Sequence, residues 1–188
     1  MTSYPGKCWS RTHGWTGKTS AIRLPPSALL NDNAPVPQLT RFLPDEPATL
    51  AVGAALAPGL EPGMVIFLSG ELGAGKTTFA RGVLRGLGHA GRVKSPSYAL
   101  LEPYTFSRLY LYHFDFYRFN DPRELGDAGF REYFNPESVS LVEWPENAAG
   151  MLPAADLRIT LRVTGLGRQL EIDADTEAGS RCLKRLSP

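Results

Sequence analysis

The 188-residue sequence predicts an α/β fold, a single domain with a mixed parallel and antiparallel sheet flanked by helices, and three observations carry that expectation. An apolar run, Met64-Val65-Ile66-Phe67-Leu68, feeds the octet Gly70-Glu71-Leu72-Gly73-Ala74-Gly75-Lys76-Thr77, which feeds an amphipathic stretch, giving strand, glycine-rich loop and helix in sequence. Two later strand candidates each end on a carboxylate, Asp115 and Glu143. A hairpin pattern near the end then adds antiparallel strands to a parallel centre. The octet matches the phosphate-cradling pattern G-x-x-x-x-G-K-[ST] without a mismatch, which chance produces in roughly 0.6% of chains of this composition. The expected class is therefore a P-loop NTPase domain.

Bulk composition narrows the function classes. With 43% hydrophobic and 21% charged residues, the chain is of ordinary globular type and long enough for one domain with a real core. A formal net charge of +1 advertises no strong sequence-independent attraction to a phosphate backbone. DNA binding is not expected, and if nucleic acid is involved, a partner is expected to carry most of the grip. The longest apolar stretch is the run before the octet, and residues 1–37 hold no signal-type apolar segment, so neither membrane spanning nor secretion is expected. Cys8 and Cys182 lie near opposite ends, in no metal-type spacing and in segments expected to be poorly ordered, which points to a reduced, cytoplasmic protein.

Each element has its own signal. Residues 1–38 hold Pro5, Pro25, Pro26, Pro35 and Pro37 and no regular period, so a disordered extension is expected there, with Trp9 and Trp15 incidental. A P-loop domain over 39–175 follows. Asp45 as N-cap and Pro47 in the first turn open a helix with Leu50, Ala51, Ala54 and Ala55 at helical spacing, ended by Pro58-Gly59. The strand at 64–69 is apolar throughout, as suits one covered on both faces. After the octet, a helix from Thr77 to about Leu87 aligns Phe79, Ala80, Val83, Leu84 and Leu87, and Gly88 stops it. Between Leu109 and Tyr117 a period of two puts Tyr110, Tyr112, Phe114 and Phe116 on one face, expected to be core. The other face carries His113 and Asp115. Asp121-Pro122 starts an expected helix through about Phe134, and Val139 to Val142 forms a short strand running into Glu143-Trp144-Pro145. Leu157 to Val163 and Gln169 to Ile172 flank the turn Thr164-Gly165-Leu166-Gly167. Residues 176–188 are expected to be a tail.

The chemistry needs these residue types for physical reasons. Glycines at 70, 73 and 75 allow positive φ and close approach, so that backbone N–H groups from Gly73 through Ala74, Lys76, Thr77 and Thr78 can converge on an anion at a helix N-terminus. Lys76 is expected to reach the β and γ phosphates, and the Thr77 hydroxyl to ligate Mg²⁺. Phosphoryl chemistry also needs acids that hold the metal and orient a nucleophile. Asp115 and Glu143, at the ends of strands where open α/β sheets bind ligands, are the candidates for both tasks. Ser95-Pro96-Ser97-Tyr98 reads as a turn, and as a functional alternative its hydroxyls would sense the γ phosphate, as switch loops do. No lysine follows an asparagine, so the guanine signature Asn-Lys-x-Asp is absent and ATP is favoured over GTP.

In this order the segments resemble the TsaE family, also called YjeE, small P-loop ATPases of bacterial tRNA threonylcarbamoyladenosine biosynthesis. The runs that carry the resemblance are Leu43-Pro44-Asp45-Glu46, Gly70 to Thr78, Val93 to Tyr98, Tyr112-His113-Phe114-Asp115-Phe116-Tyr117-Arg118 and Leu141-Val142-Glu143-Trp144-Pro145. They lie within a resemblance covering about residues 40–173. The resemblance implies ATP and Mg²⁺ as ligands and work beside the TsaB and TsaD proteins in modifying the tRNA adenosine next to the anticodon. By position, Lys76 and Thr77 look like the family's phosphate and Mg²⁺ residues, Glu143 like its second metal-side carboxylate, and Asp115 like its other acid. Leu72 falls inside the family's loop, Trp144 looks like its tryptophan beside the nucleotide, and Glu46 and the Gly167-Arg168 turn match segments near that nucleotide. Ser97 stands where threonine is common and Glu71 where aspartate is common, each preserving the chemical group. Read from the residues alone, a P-loop small-molecule kinase and a non-catalytic ATP-dependent switch stay open beside an ATPase.

Overall fold

Parallel pairing at the centre of the sheet positions the glycine-rich loop. The computed structural model describes residues 38–119 and 129–186. Its strands are β1 (Gln38–Leu43), β2 (Val65–Ser69), β3 (Leu101–Thr105), β4 (Tyr110–Asp115), β5 (Ser138–Glu143), β6 (Leu157–Thr164) and β7 (Gly167–Ala174). They form one seven-stranded sheet in the order β1-β7-β6-β2-β5-β4-β3. β2 pairs in parallel with both β5 and β6, and β5 in parallel with β4, while β1, β7 and β3 join antiparallel. This is the mixed α/β P-loop sheet the sequence predicts.

Two hydrophobic clusters cover the sheet, one per face. On the helix side, Ile66, Leu68, Leu111, Leu141, Leu157 and Ile159 pack, fully buried, against α1 (Glu46–Leu56), α2 (Lys76–Gly86) and α3 (Glu177–Leu186). On the opposite face, Phe114, Phe116 and Val142 gather Phe67, Phe130, Phe134 and Trp144, with the Phe114 and Phe134 rings stacked at 4.9 Å. Both faces of β4 are therefore core, where the sequence singled out only the aromatic one; Leu111 packs under the helices and Tyr110 is half exposed at the strand start. Because alternation has period two, Leu111, His113 and Asp115 share the helix face, and their β5 partners Val139, Leu141 and Glu143 share it with them.

Helix α1 begins where expected: the Asp45 carboxylate accepts from the Ala48 N–H at 2.8 Å, and the Thr49 hydroxyl donates to the Asp45 carbonyl at 3.0 Å. Its buried stripe is Thr49, Val52, Gly53 and Leu56, one position removed from the leucine and alanines that periodicity selected. The cause is close helix packing. A Cβ on Gly53 would strike the Phe79 carbonyl of α2, and one on Gly82 would strike the Leu50 carbonyl of α1, so glycines mark the contact line. Helix α2 buries Phe79, Ala80, Val83 and Leu84 completely, as the spacing of its apolar residues predicts.

Three parts differ from the sequence reading. Strands β1 and β3 were not anticipated; both are edges, and β3 carries Pro103, which is tolerated only there. Phe130–Tyr133 is a short 3-10 turn where the end of a helix was expected, while residues 120–128, its expected start, lie outside the described residues, as does the extension before residue 38 with Trp9 and Trp15. The expected tail is ordered from Thr176 to Leu186: Thr176 Oγ1 accepts from the Gly179 N–H at 3.1 Å, and α3 then buries Gly179, Cys182, Leu183 and Leu186 at helical spacing. That stripe is short and set among charges, so it raised no signal by itself. Among the described residues, no helix is long and apolar enough to cross a membrane.

Docking of α3 leads to two measurable outcomes. Leu183→Ala is expected to lower the unfolding free energy by about 2–5 kcal/mol in chemical denaturation; an unchanged midpoint would show that α3 is not part of the core. Burial pushes the Cys182 thiol up to about 12. Since the folded value lies above the ordinary 9.0, the contribution of the thiol is intact below pH 9 and is lost as the pH rises towards 12. The stability of the wild type is expected to fall relative to Cys182→Ala above pH 9, as read from denaturation midpoints.

Candidate functional site

The loop after β2 takes its shape from glycine. Gly70, Gly73 and Gly75 have φ of 138°, 81° and 108°, and a Cβ on Gly70 would collide with the Leu161 carbonyl of β6. The Phe79 N–H donates to the Gly75 carbonyl at 2.8 Å, so α2 starts as the loop ends. Lys76 is buried, its ammonium donating to the carbonyls of Gly70 at 2.7 Å and Glu71 at 2.9 Å and lying 3.7 Å from the centre of the Trp144 ring. Desolvation holds this amine below its ordinary range. The charges of Glu143, then Glu146, Asp115 and Glu71, pull the other way.

Register brings the two acids to this loop. Leu68, at the end of β2, pairs with Glu143, and Glu143 pairs with Asp115. Both carboxylates are almost completely buried, yet each oxygen has a donor. Glu143 Oε2 accepts from the Thr77 hydroxyl at 3.0 Å, and Glu143 Oε1 lies 2.9 Å from His113 Nε2. Asp115 Oδ1 accepts from the Tyr117 N–H at 2.9 Å, and Asp115 Oδ2 accepts from the Ser95 hydroxyl, whose oxygen in turn accepts from the Ser97 N–H at 3.2 Å.

This donor set fits Mg²⁺. A small hard cation takes oxygen ligands at about 2.0–2.1 Å in octahedral geometry, so adjacent ligands lie about 3 Å apart. Thr77 Oγ1 and Glu143 Oε2 have that spacing. Among the described residues there is no cluster of three or more acidic, histidine or cysteine side chains suited to a metal.

The loop and strand tips enclose a cavity of about 340 Å³. Its wall unites Leu72, Gly73, Gly75, Lys76, Thr77 and Thr78 from the loop and α2 with Asp115, Glu143, Trp144 and Arg168. Other residues named from the sequence lie off that wall. Glu46 is exposed and pairs with Arg81 at 2.9 Å, Ala74 is buried in the core, and Gly70 forms the base of the loop against β6. Arg168 packs over Gly75, where a Cβ would come within 2.9 Å of its Nε, and that Nε is buried without a hydrogen-bond partner among the described residues. Ser95, Ser97 and Arg118 complete the wall, the Arg118 guanidinium lying 4.1 Å from the Tyr98 ring centre. Tyr117, not singled out from the sequence, also lines it and packs against Trp144 at 5.1 Å. Its place directly beyond the acidic strand tip was the available signal.

A glycine-rich loop between a central parallel strand and a helix, with acids at the tips of neighbouring strands, defines an α/β protein of the P-loop class. The family model described as "Threonylcarbamoyl adenosine biosynthesis protein TsaE" matches residues 43–170, and the chain belongs to the TsaE family. It is similar to the tRNA threonylcarbamoyladenosine biosynthesis protein TsaE of Haemophilus influenzae, 42% identical over 79% of this chain and 98% of that one. The protein of the same name from Bacillus subtilis is 41% identical over 62% of this chain and 73% of its own. The crystal structure of Bacillus subtilis YdiB superposes with a TM-score of 0.70 at 32% identity, covering 82% of this chain and 97% of that one.

The loop geometry predicts a cost for one methyl group. Gly75→Ala places a Cβ at positive φ and against Arg168, and is expected to destabilise the fold by about 1–3 kcal/mol; thermal denaturation unchanged from wild type would contradict the backbone conformation assigned to the loop.

Proposed function

We propose that this chain binds ATP with Mg²⁺ at the P-loop and hydrolyses it slowly, as a subunit required for threonylcarbamoyladenosine modification of the tRNA adenosine next to the anticodon. Its working partners in this reading are the TsaB and TsaD proteins, in the cytoplasm. The observation that carries the reading is the convergence of Lys76, Thr77, Glu143 and Asp115 on one cavity at the carboxyl ends of β2, β5 and β4. The family name supports the pathway. The near-zero net charge supports leaving the grip on tRNA to the partners.

Each residue has a task set by its position. Lys76 exchanges the carbonyls of Gly70 and Glu71 for phosphate oxygens, which a buried ammonium favours because they carry full charge. Thr77 and Glu143 hold the cation. When bound there, Mg²⁺ would supply positive charge against the negative charge that develops on the phosphates. Asp115, oriented by Ser95 and the Tyr117 N–H, positions the attacking water and takes up its proton. Arg118 reaches the wall but stacks on the exposed Tyr98, so the free chain holds its guanidinium at the rim. An arginine engaged on the γ phosphate is worth about 10³–10⁵ in rate. That placement supports slow turnover by the chain alone; acceleration by TsaB and TsaD is part of the proposal.

Calorimetry with ADP and ATP, phosphate release and reconstituted tRNA modification test this together. Lys76→Ala is expected to weaken nucleotide binding about 10- to 100-fold and to abolish tRNA modification. Asp115→Ala is expected to keep nucleotide affinity while lowering turnover about 10²–10⁴-fold. No heat of nucleotide binding, or γ phosphate recovered on a metabolite instead of as free phosphate, would overturn the proposal. Phosphate release that is the same with and without TsaB and TsaD would sink the partner-stimulated part.

A further inference from the structure

Within the cavity wall, Glu143 is held from two sides, and only one side belongs to the loop. Its Oε2 meets the Thr77 hydroxyl, while its Oε1 meets Nε2 of His113, a side chain with no exposed surface on the neighbouring strand β4. A carboxylate only accepts, so Nε2 of the ring carries the proton in this contact. The other ring nitrogen, Nδ1, is buried with no hydrogen-bond partner among the described residues. A leucine would fill the same place in the core beside Leu111 without leaving a polar atom stranded, so packing alone gives no reason for an imidazole here.

The competing donor explains what the imidazole does. Lys76 lines the same cavity as Glu143, whose charge is the strongest carboxylate influence on its amine. Without a donor on Oε1, the buried carboxylate would swing to the ammonium, drawing Lys76 from the phosphate side and itself from Thr77. We infer that His113 is a positioning residue: its Nε2–H pins Oε1 of Glu143 so that Oε2 stays on Thr77 and Lys76 stays free to meet an anion. The inference deepens the Mg²⁺-nucleotide reading given above and rests on it.

Two measurements test it. The first uses the unmodified chain. Long-range ¹⁵N–¹H spectra of the imidazoles, with His13→Gln and His89→Gln used to assign the three histidines, are expected to show His113 as the Nε2–H tautomer with a bare Nδ1. A proton on Nδ1 with Nε2 bare would overturn the inference. The second is ADP affinity by calorimetry in EDTA and in Mg²⁺. The wild type is expected to bind more tightly with Mg²⁺; His113→Leu is expected to lose at least tenfold of that gain, and His113→Gln, whose amide supplies a donor, to recover most of it. Retention of the full Mg²⁺ gain by a folded His113→Leu would reduce His113 to packing, and its loss in both folded variants would equally overturn the donor role. If His113→Leu does not fold, the tautomer and the His113→Gln affinity decide. A wild type showing no Mg²⁺ gain would bring down the nucleotide reading itself, and the positioning role with it, a result distinct from failure of the variants alone.

Discussion

The seating of β5 between β2 and β4 is the constraint on which the site depends. It sets Glu143 level with Leu68 on one side and Asp115 on the other. Side chains alternate with period two, so a slip of β5 by one residue would turn Glu143 away from the helices and from His113 and present Val142 or Trp144 to the loop instead. Such a slip is prevented by burial on both faces. Val139 and Leu141 are fixed in the helix-side core, and Val142 is fixed in the aromatic cluster opposite, so neither face accepts the polar residues of the other. The catalytic geometry proposed here is thus a by-product of packing in the central strands.

Two buried acids beside one buried amine would be an expensive arrangement if they were held by charge alone. Instead, four carboxylate oxygens meet four different donors: the Thr77 hydroxyl, the His113 ring, the Tyr117 N–H and the Ser95 hydroxyl. These donors come from α2, β4, the chain just past β4 and the loop before β3, so the two acids tie the wall segments together as well as facing the cavity. Lys76 is likewise satisfied locally by the Gly70 and Glu71 carbonyls and by the Trp144 face. Satisfied polar groups are what allow so much charge to sit near the carboxyl ends of apolar strands.

Much of this was legible in the sequence because it rests on local signals. The octet, the apolar run before it, the amphipathic helix after it and the alternation that puts His113 and Asp115 on one face all lie within short windows. The mixed sheet, with its β6–β7 hairpin, followed from turn residues. What escaped has long-range causes. Strand β3 reads poorly because Pro103 is acceptable only at an edge that exists once β4 is placed. The buried stripe of α1 was misplaced because contact with α2 runs through Gly53 and Gly82, which hydrophobicity does not score. Glu46, matched to segments near the nucleotide, pairs with Arg81 outside the cavity, a partner 35 positions away that no local pattern shows. The His113–Glu143 contact joins residues 30 apart and becomes visible only when β4 and β5 are neighbours.

Trp144 completes the logic at the end of β5. It is one of two non-glycine residues with positive φ among the described residues, at 58°, a conformation that costs a bulky side chain energy and is kept only where the surroundings impose it. Its N–H still donates to the Leu68 carbonyl at 3.2 Å, so the backbone continues the ladder one step past Glu143 before it turns. The turn places the indole over the Lys76 ammonium and beside Tyr117 instead of leaving it to alternate across the sheet. Pro145 then starts a 3-10 turn and prevents further pairing. Strand termination, lysine shielding and formation of the cavity wall therefore share one strained residue, which is why the apolar run of β5 ends in the three consecutive residues Glu143, Trp144 and Pro145.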